Sequence, residues 1–246
     1  MRARPGRGLT RLTKLLLTAF EACVHFAVLR LKNDGPLPPM TRAQWLHRWC
    51  LLALRRLGVD PQHEGALPSR GLIVANHLSY LDIVLLSAVC PCTFVAKKEV
   101  RQWPVFGWMA TLSGTVFVDR QRPLDTGRIN DQLHATMQAG VPVVLFPEGT
   151  STNGSQVLPF RSPLFAAAVS TEEAITPAYI SYQVSEGSVE DDVCYWGDMT
   201  FFPHLLRLLS IPEVKARVRF SAEALRFDNR KQAAEITREH VVALSK

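Results

Sequence analysis

His77 is followed five residues later by Asp82, in the run Asn76-His-Leu-Ser-Tyr-Leu-Asp82. A neutral imidazole accepts a proton at one nitrogen and donates a hydrogen bond from the other. A carboxylate on the donating side fixes the tautomer and leaves the opposite nitrogen free to act as a base. On one regular helix, side chains five residues apart point roughly 140° from each other. The pair therefore works only if His77 lies in a loop and Asp82 in the first turn of a helix. The flanking residues predict that arrangement. Leu72-Ile-Val-Ala75 reads as a short strand buried on both faces. Residues 81–89 are apolar again and read as a helix, with Ser79 placed as its N-cap. The C-terminal mouth of a strand in an open sheet is where α/β proteins place their chemistry. Ser79-x-x-Asp82 also fits a capping box with Asp in place of Glu, a structural role that asks nothing of His77.

The elements that would position this pair lie in a chain of 246 residues, enough for one domain with a full core plus a helical extension. At 47% hydrophobic and 20% charged residues, it is not a disordered chain. A net charge of +6 points to an anionic partner. No nucleic-acid-binding signature is present, so a membrane surface or a phosphorylated substrate is expected instead. The five cysteines are scattered, and Cys90-Pro-Cys92 lacks a second metal-binding half. Reduced structural thiols follow, which suits a cytosolic face, and no metal site is argued.

Before the central stretch, residues 15–31 are apolar but interrupted by Glu21 and His25, with Arg2, Arg4, Arg7, Arg11 and Lys14 ahead of them. This is short for a spanning helix, and a helix lying in the membrane interface with its basic flank on anionic lipid fits better. Residues 35–39 break the chain, and Thr41 is placed to cap a second helix over residues 42–57. Its Trp45 and Trp49 among arginines suit a membrane interface, or a helix packed on the domain that follows. Residues 1–60 are thus read as a two-helix membrane-contacting element and residues 61–246 as one α/β domain.

After the central stretch, strands are expected at residues 93–96, 114–118, 141–146 and 174–180, the last at an edge or bulge because of Pro177. A further strand is expected at 218–220, with helices over 124–138 and 229–244, and a short helix within 103–109 beside a cleft. Four strands end in polar groups: Asn76-His77, Lys97-Lys98, Asp119-Arg120 and Glu148. If they run parallel, as strands joined by helices do, these ends share one rim next to an apolar surface. That combination suits an amphiphile with an anionic head. The segment 149–154 has the glycine spacing of a phosphate-binding loop, but Ser155 stands where Lys is required, so nucleotide binding is excluded.

These residues together resemble the lysophospholipid acyltransferase family, which includes bacterial 1-acylglycerol-3-phosphate acyltransferases. Asn76 to Asp82 matches its N-H-x-x-x-x-D block, Gly114-Thr-Val-Phe-Val-Asp-Arg120 its G-x-x-F-(I/V)-x-R block, and Phe146-Pro-Glu-Gly-Thr150 its F-P-E-G-T block. Thr176-Pro177-Ala178 looks like the fourth, proline-centred block. The resemblance implies a mixed sheet flanked by helices. It also implies transfer of an acyl chain from coenzyme A or acyl carrier protein to a lysolipid hydroxyl, most simply that of 1-acylglycerol-3-phosphate. His77 would be the general base and Asp82 its orienting carboxylate. Lys97, Lys98 and Arg120 would bind acceptor phosphate, and Glu148, Gly149 and Thr150 would shape the acceptor site. No cofactor is implied beyond the acyl donor, and the expected location is the cytoplasmic face of the cell membrane. One departure stands out: many members carry Arg directly after F-P-E-G-T, where this chain has Ser151. Losing one charge-assisted contact weakens anion recognition by about 1.5–3 kcal/mol. Arg161 is the candidate replacement if the loop folds back. Otherwise the acceptor differs, and residues 195–204 resemble a subgroup that acylates lyso-ornithine lipid; a non-catalytic lipid-binding membrane protein that keeps the cleft is the other alternative.

Overall fold

Residues 5–103, 106–118 and 126–246 are described by the computed structural model. Among them, helix α1 spans Pro5–Leu31 and α2 spans Pro39–Leu57; β1 (Val59–Glu64), β2 (Leu72–Ala75), α3 (Leu81–Val89) and β3 (Thr93–Lys97) follow. A short 3₁₀ turn (Lys98–Gln102) leads to α4 (Phe106–Ser113), β4 (Val116–Val118), α5 (Thr126–Gln138) and β5 (Val143–Leu145). The last part holds α6 (Ala166–Ser170), β6 (Ile175–Val184), α7 (Val189–Asp192), α8 (Phe201–Ser210), β7 (Val214–Phe220) and α9 (Arg230–Ala243).

The described strands form one sheet in the order β1-β7-β6-β2-β5-β3-β4. β2, β3, β4 and β5 run parallel, as the helical connections require, so their C-terminal ends open on one rim. β2 lies at the centre, pairing with β5 on one side and β6 on the other. Its alternation divides the core. Ile73 and Ala75 face a cluster with α2, α3 and α8, while Leu72 and Val74 face one with α5, α6 and α9.

Several local expectations are revised. β1 has no strong apolar pattern, yet it pairs in parallel with β7 as an edge strand. β6 is ten residues long and central rather than an edge. Pro177 is tolerated because it pairs with Val74 on the β2 side, one residue before the antiparallel ladder to β7 begins at Ala178. α2 starts at Pro39 with Pro38 as N-cap, so Thr41 lies inside the helix and does not cap it.

The N-terminal helices also differ from their reading. α1 is 27 residues long, about 40 Å at 1.5 Å per residue, and meets the length and composition of a membrane-crossing helix. Only 11% of its most apolar window is buried. Leu9, Leu16, Phe20, Val24, Val28 and Leu31 form an exposed stripe along it. Of its basic flank, Arg7 and Arg11 point inward, Lys14 is exposed, and Arg2 and Arg4 lie outside the described residues. Arg7 donates to the Ser210 carbonyl, and Arg11 donates to the carbonyls of Leu209, Ile211 and Pro212. The first three of these carbonyls close the C-terminal end of α8, where cations are favoured, and Pro212 lies just beyond it. α2 belongs to the core. Trp45 and Trp49 are buried, and their indole N–H groups donate to Ala22 O at 2.9 Å and His25 Nδ1 at 3.0 Å on α1.

Candidate functional site

β2 ends at Ala75, and residues 76–80 turn the chain into α3. Asn76 makes this exit rigid. Its amide donates to Ile180 O at 3.1 Å and accepts from Ile180 N at 2.7 Å, extending the β2–β6 ladder with a side chain. His77 then lies in the loop and Asp82 is the second residue of α3. His77 Nδ1 is 2.8 Å from Asp82 Oδ2. With that nitrogen donating to the carboxylate, Nε2 carries the free lone pair. The Asp82 side chain is fully buried, whereas that of His77 is 20% exposed, so the imidazole is reachable and its partner is not.

Asp82 has a second task. Its Oδ2 also accepts from Leu78 N at 2.7 Å and Ser79 N at 3.0 Å. Ser79 is therefore not the cap: its hydroxyl is buried without a hydrogen-bond partner among the described residues, and the N-cap position is Tyr80. The carboxylate turns back and satisfies the free N–H groups ahead of α3, where negative charge also suits the helix dipole. Orienting the histidine and capping the helix are not alternatives here, because one carboxylate does both.

The remaining polar groups of the loop are also held. His77 N donates to Glu148 Oε1 at 2.7 Å, and His77 O accepts from Thr152 N at 3.0 Å. Leu78 O accepts from Tyr195 N at 2.8 Å, and Ser79 O from Asp82 N at 3.1 Å. The amides of residues 77–79 all point at carboxylates, so none is available to stabilise an oxyanion. The His77 ring stacks on Phe146, with centroids 4.2 Å apart and planes at 17°.

Glu148, expected to shape an acceptor site, is a clamp. It is 3% exposed, and Oε2 accepts from Leu158 N at 2.8 Å while Oε1 holds His77 N. Burial raises its carboxyl above the usual range, against the opposing pull of the two amides. Gly149 is buried at φ 76°, a left-handed turn that suits glycine. Thr150 is exposed. The loop does fold back: Arg161 N donates to Pro147 O at 3.0 Å, bringing Arg161 beside the F-P-E-G-T turn with its side chain exposed. Lys97 ends β3 and Lys98 opens the 3₁₀ turn, both exposed on the rim with β5 between their strand and β2. Arg120 and Asp119 lie outside the described residues. Ser151 donates its hydroxyl to the Tyr195 carbonyl.

The hydrogen bonds of Tyr182 and His204 were not foreseen, whereas the apolar surface beside the rim was. Tyr182 of β6 donates its hydroxyl to Asp82 Oδ1 at 2.6 Å. Tyr80 OH bonds His204 Nδ1 at 2.9 Å, and His204 Nε2 meets Cys194 O at 2.9 Å. His204 is buried, and burial lowers its pKa. Around Tyr80, the rings of Phe106, Tyr195 and Phe201 pack at 5.1–6.0 Å as an apolar wall beside the His77 loop. A cavity of about 260 Å³ opens between residues 154–157 and α9. It touches Asn76 and Leu78 but not His77, so it flanks the site.

Residues 60–181 match the family model described as Acyltransferase. The chain is similar to the lyso-ornithine lipid O-acyltransferase of Brucella abortus, 40% identical over 212 residues that cover 80% of this chain and 76% of that protein. The enzyme of the same name from Rhizobium meliloti is 35% identical over 79% of this chain and 72% of its own length. The 1-acyl-sn-glycerol-3-phosphate acyltransferase of Neisseria meningitidis is 35% identical over 65% of this chain and 61% of its own. In fold, the chain matches the crystal structure of the 1-acyl-sn-glycerophosphate acyltransferase from Thermotoga maritima with a TM-score of 0.66. That match covers 97% of this chain and 98% of the other at 21% identity.

Proposed function

The chain is an enzyme of the acyltransferase family, and we propose that it moves an acyl group from a thioester, on coenzyme A or acyl carrier protein, to the free hydroxyl of a lysolipid. The observation that carries the mechanism is the His77–Asp82 contact at 2.8 Å, with Nε2 left as the lone-pair nitrogen and the His77 side chain 20% exposed. His77 takes the hydroxyl proton as the oxygen attacks the thioester carbonyl. Asp82 holds the tautomer and stabilises the imidazolium. The proton then passes to the departing thiolate. The reaction needs its two substrates and no cofactor.

The exposed apolar stripe of α1 supports attachment to a lipid surface, where the acceptor resides. The cytoplasmic face is the side on which coenzyme A and acyl carrier protein donors are found. Lys97, Lys98, Arg120 and Arg161 are the candidate contacts for an anionic head.

Two acceptors fit. The first is 1-acylglycerol-3-phosphate, giving phosphatidic acid, in line with the block pattern and with relatives of that name. The second is lyso-ornithine lipid, the substrate named for other relatives. Ser151 favours the second reading: the position that holds a phosphate-binding Arg in many members carries a neutral hydroxyl already donated to Tyr195 O. A panel of lysolipid acceptors, assayed with wild type and Ser151→Arg, tests this. Preference for lyso-ornithine lipid that shifts toward 1-acylglycerol-3-phosphate in the variant supports the second reading. Wild-type preference for 1-acylglycerol-3-phosphate overturns it and leaves the first.

A further inference from the structure

Asp82 is surrounded by donors. Oδ2 accepts from His77 Nδ1, Leu78 N and Ser79 N, and Oδ1 accepts from Tyr182 OH at 2.6 Å, the shortest of the four. Tyr182 is 6% exposed and lies 100 residues away in sequence. Its delivery is itself built. Asn76 locks β6 at Ile180, and Tyr182, two residues further on the same face of the strand, reaches Asp82. We propose that Tyr182 is a positioning residue that sets how strongly Asp82 supports the His77 imidazolium. The inference rests on the reading of His77 as general base.

The physical argument has two parts. By holding Oδ1, the phenol stops the carboxylate from rotating and keeps Oδ2 aimed at the imidazole. By donating to the carboxylate, it also draws negative charge away from Oδ2. A carboxylate stripped of that bond pulls harder on the imidazole proton and stabilises the charged ring more. The phenol stays protonated across the working range, because burial, and after it the Asp82 charge, push its pKa well above the ordinary tyrosine value. The other titratable groups facing the pair are Glu148, after β5, and Cys194, between α7 and α8. The Glu148 carboxyl is raised by burial, and the Cys194 thiol is pushed up to about 12 by burial, so it is neutral.

The test is the pH profile of kcat/KM, measured on lipid vesicles with wild type, Tyr182→Phe, and a protein carrying site-specific 3-fluorotyrosine at position 182. Fluorination makes the phenol a stronger donor with almost no change of shape. The acidic limb, which reports protonation of the free base, moves up in Tyr182→Phe, by less than about one unit. It moves down in the fluorinated protein. The plateau rate of Tyr182→Phe falls by about tenfold as the carboxylate loosens. Val241→Ala, a buried position in α9, lowers the melting temperature without moving the limb and serves as the stability control. Limbs that coincide in all proteins, or shifts of the same sign in Phe and fluorotyrosine, overturn the proposal. If Tyr182→Phe does not fold, the fluorinated protein alone decides. His77→Ala separates the two levels: a dead His77→Ala with unmoved limbs refutes the role of Tyr182 only, whereas an active one refutes the base assignment beneath it.

Discussion

From Asn76 to Asp82 the main chain is bonded at nearly every polar group, while across the rim Lys97, Thr150 and Arg161 hold their side chains exposed. The first region fixes one geometry. Glu148 and Thr152 hold His77, Tyr195 holds Leu78, and Asp82 holds Leu78, Ser79, His77 and Tyr182 together. The second presents exposed polar side chains, two of them the long cations Lys97 and Arg161. On the proposed reading, the preorganised loop carries the reaction chemistry and the exposed rim the head-group recognition, so damage to the two should differ in kind.

Asp82→Asn breaks the rigid region most deeply. All four partners of the carboxylate are donors, so the new amide N–H₂ faces donors in a dry site. Turnover falls by about 10²–10⁴, and stability falls by about 1–3 kcal/mol, a drop of roughly 2–4 °C in Tm per kcal/mol. Thermal melts alongside initial rates check both. A loss of turnover with an unchanged Tm contradicts the capping role. Glu148→Gln leaves one of the two amides, His77 N or Leu158 N, facing an N–H₂ group. The expected outcome is a similar stability loss and a smaller fall in kcat, read by the same pair of measurements. Arg161→Ala sharpens the comparison from the other side. The acceptor KM rises by up to about tenfold with kcat and Tm held, since an exposed charge contributes little to folding. A fall in kcat instead places Arg161 in the preorganised region.

The smallest expected effect is a pH dependence of stability. Burial lowers the pKa of His204, so its neutral form is favoured in the folded state. Its contribution is fully present above the ordinary value of about 6.5 and is lost as pH falls from there through the folded value. Wild type therefore loses Tm on acidification below about 6.5 more steeply than His204→Gln. Parallel curves contradict the assignment.

The positions of the strands before the rim and the His77–Asp82 juxtaposition were legible in the sequence because both are local. Apolar runs marked the strands, and the five-residue spacing demanded a loop followed by a helix. Tyr182 was not legible, because only the β2–β6 pairing brings it to Asp82. β1 was missed for a different reason: Val59-Asp-Pro-Gln-His-Glu64 has one buried position and an edge place in the sheet, so its signal is weak. Trp45 and Trp49 left two readings open, because the same residues suit a membrane interface and a packed helix, and burial selects the second. Arg7 and Arg11 misled. A cation beside a helix C-terminus looks, in sequence, like a cation beside lipid. Ser79 carried the expected cap signal, but Tyr80 holds the N-cap position and Asp82, already needed for His77, takes the N–H groups of Leu78 and Ser79 ahead of the helix.

The measurement that tests the central claim most directly is a paired assay of wild type and His77→Ala. Both are presented on lipid vesicles containing lysolipid, with acyl-coenzyme A and acyl carrier protein donors, and both free thiol and acylated lipid are followed. Wild type should release thiol and form acylated lipid in equal amounts. His77→Ala should lose both by at least about 10²-fold, with Tm unchanged because the His77 backbone keeps its bonds to Glu148 and Thr152. A folded His77→Ala protein with near wild-type turnover, or thiol release by wild type without acylated lipid, would contradict the account.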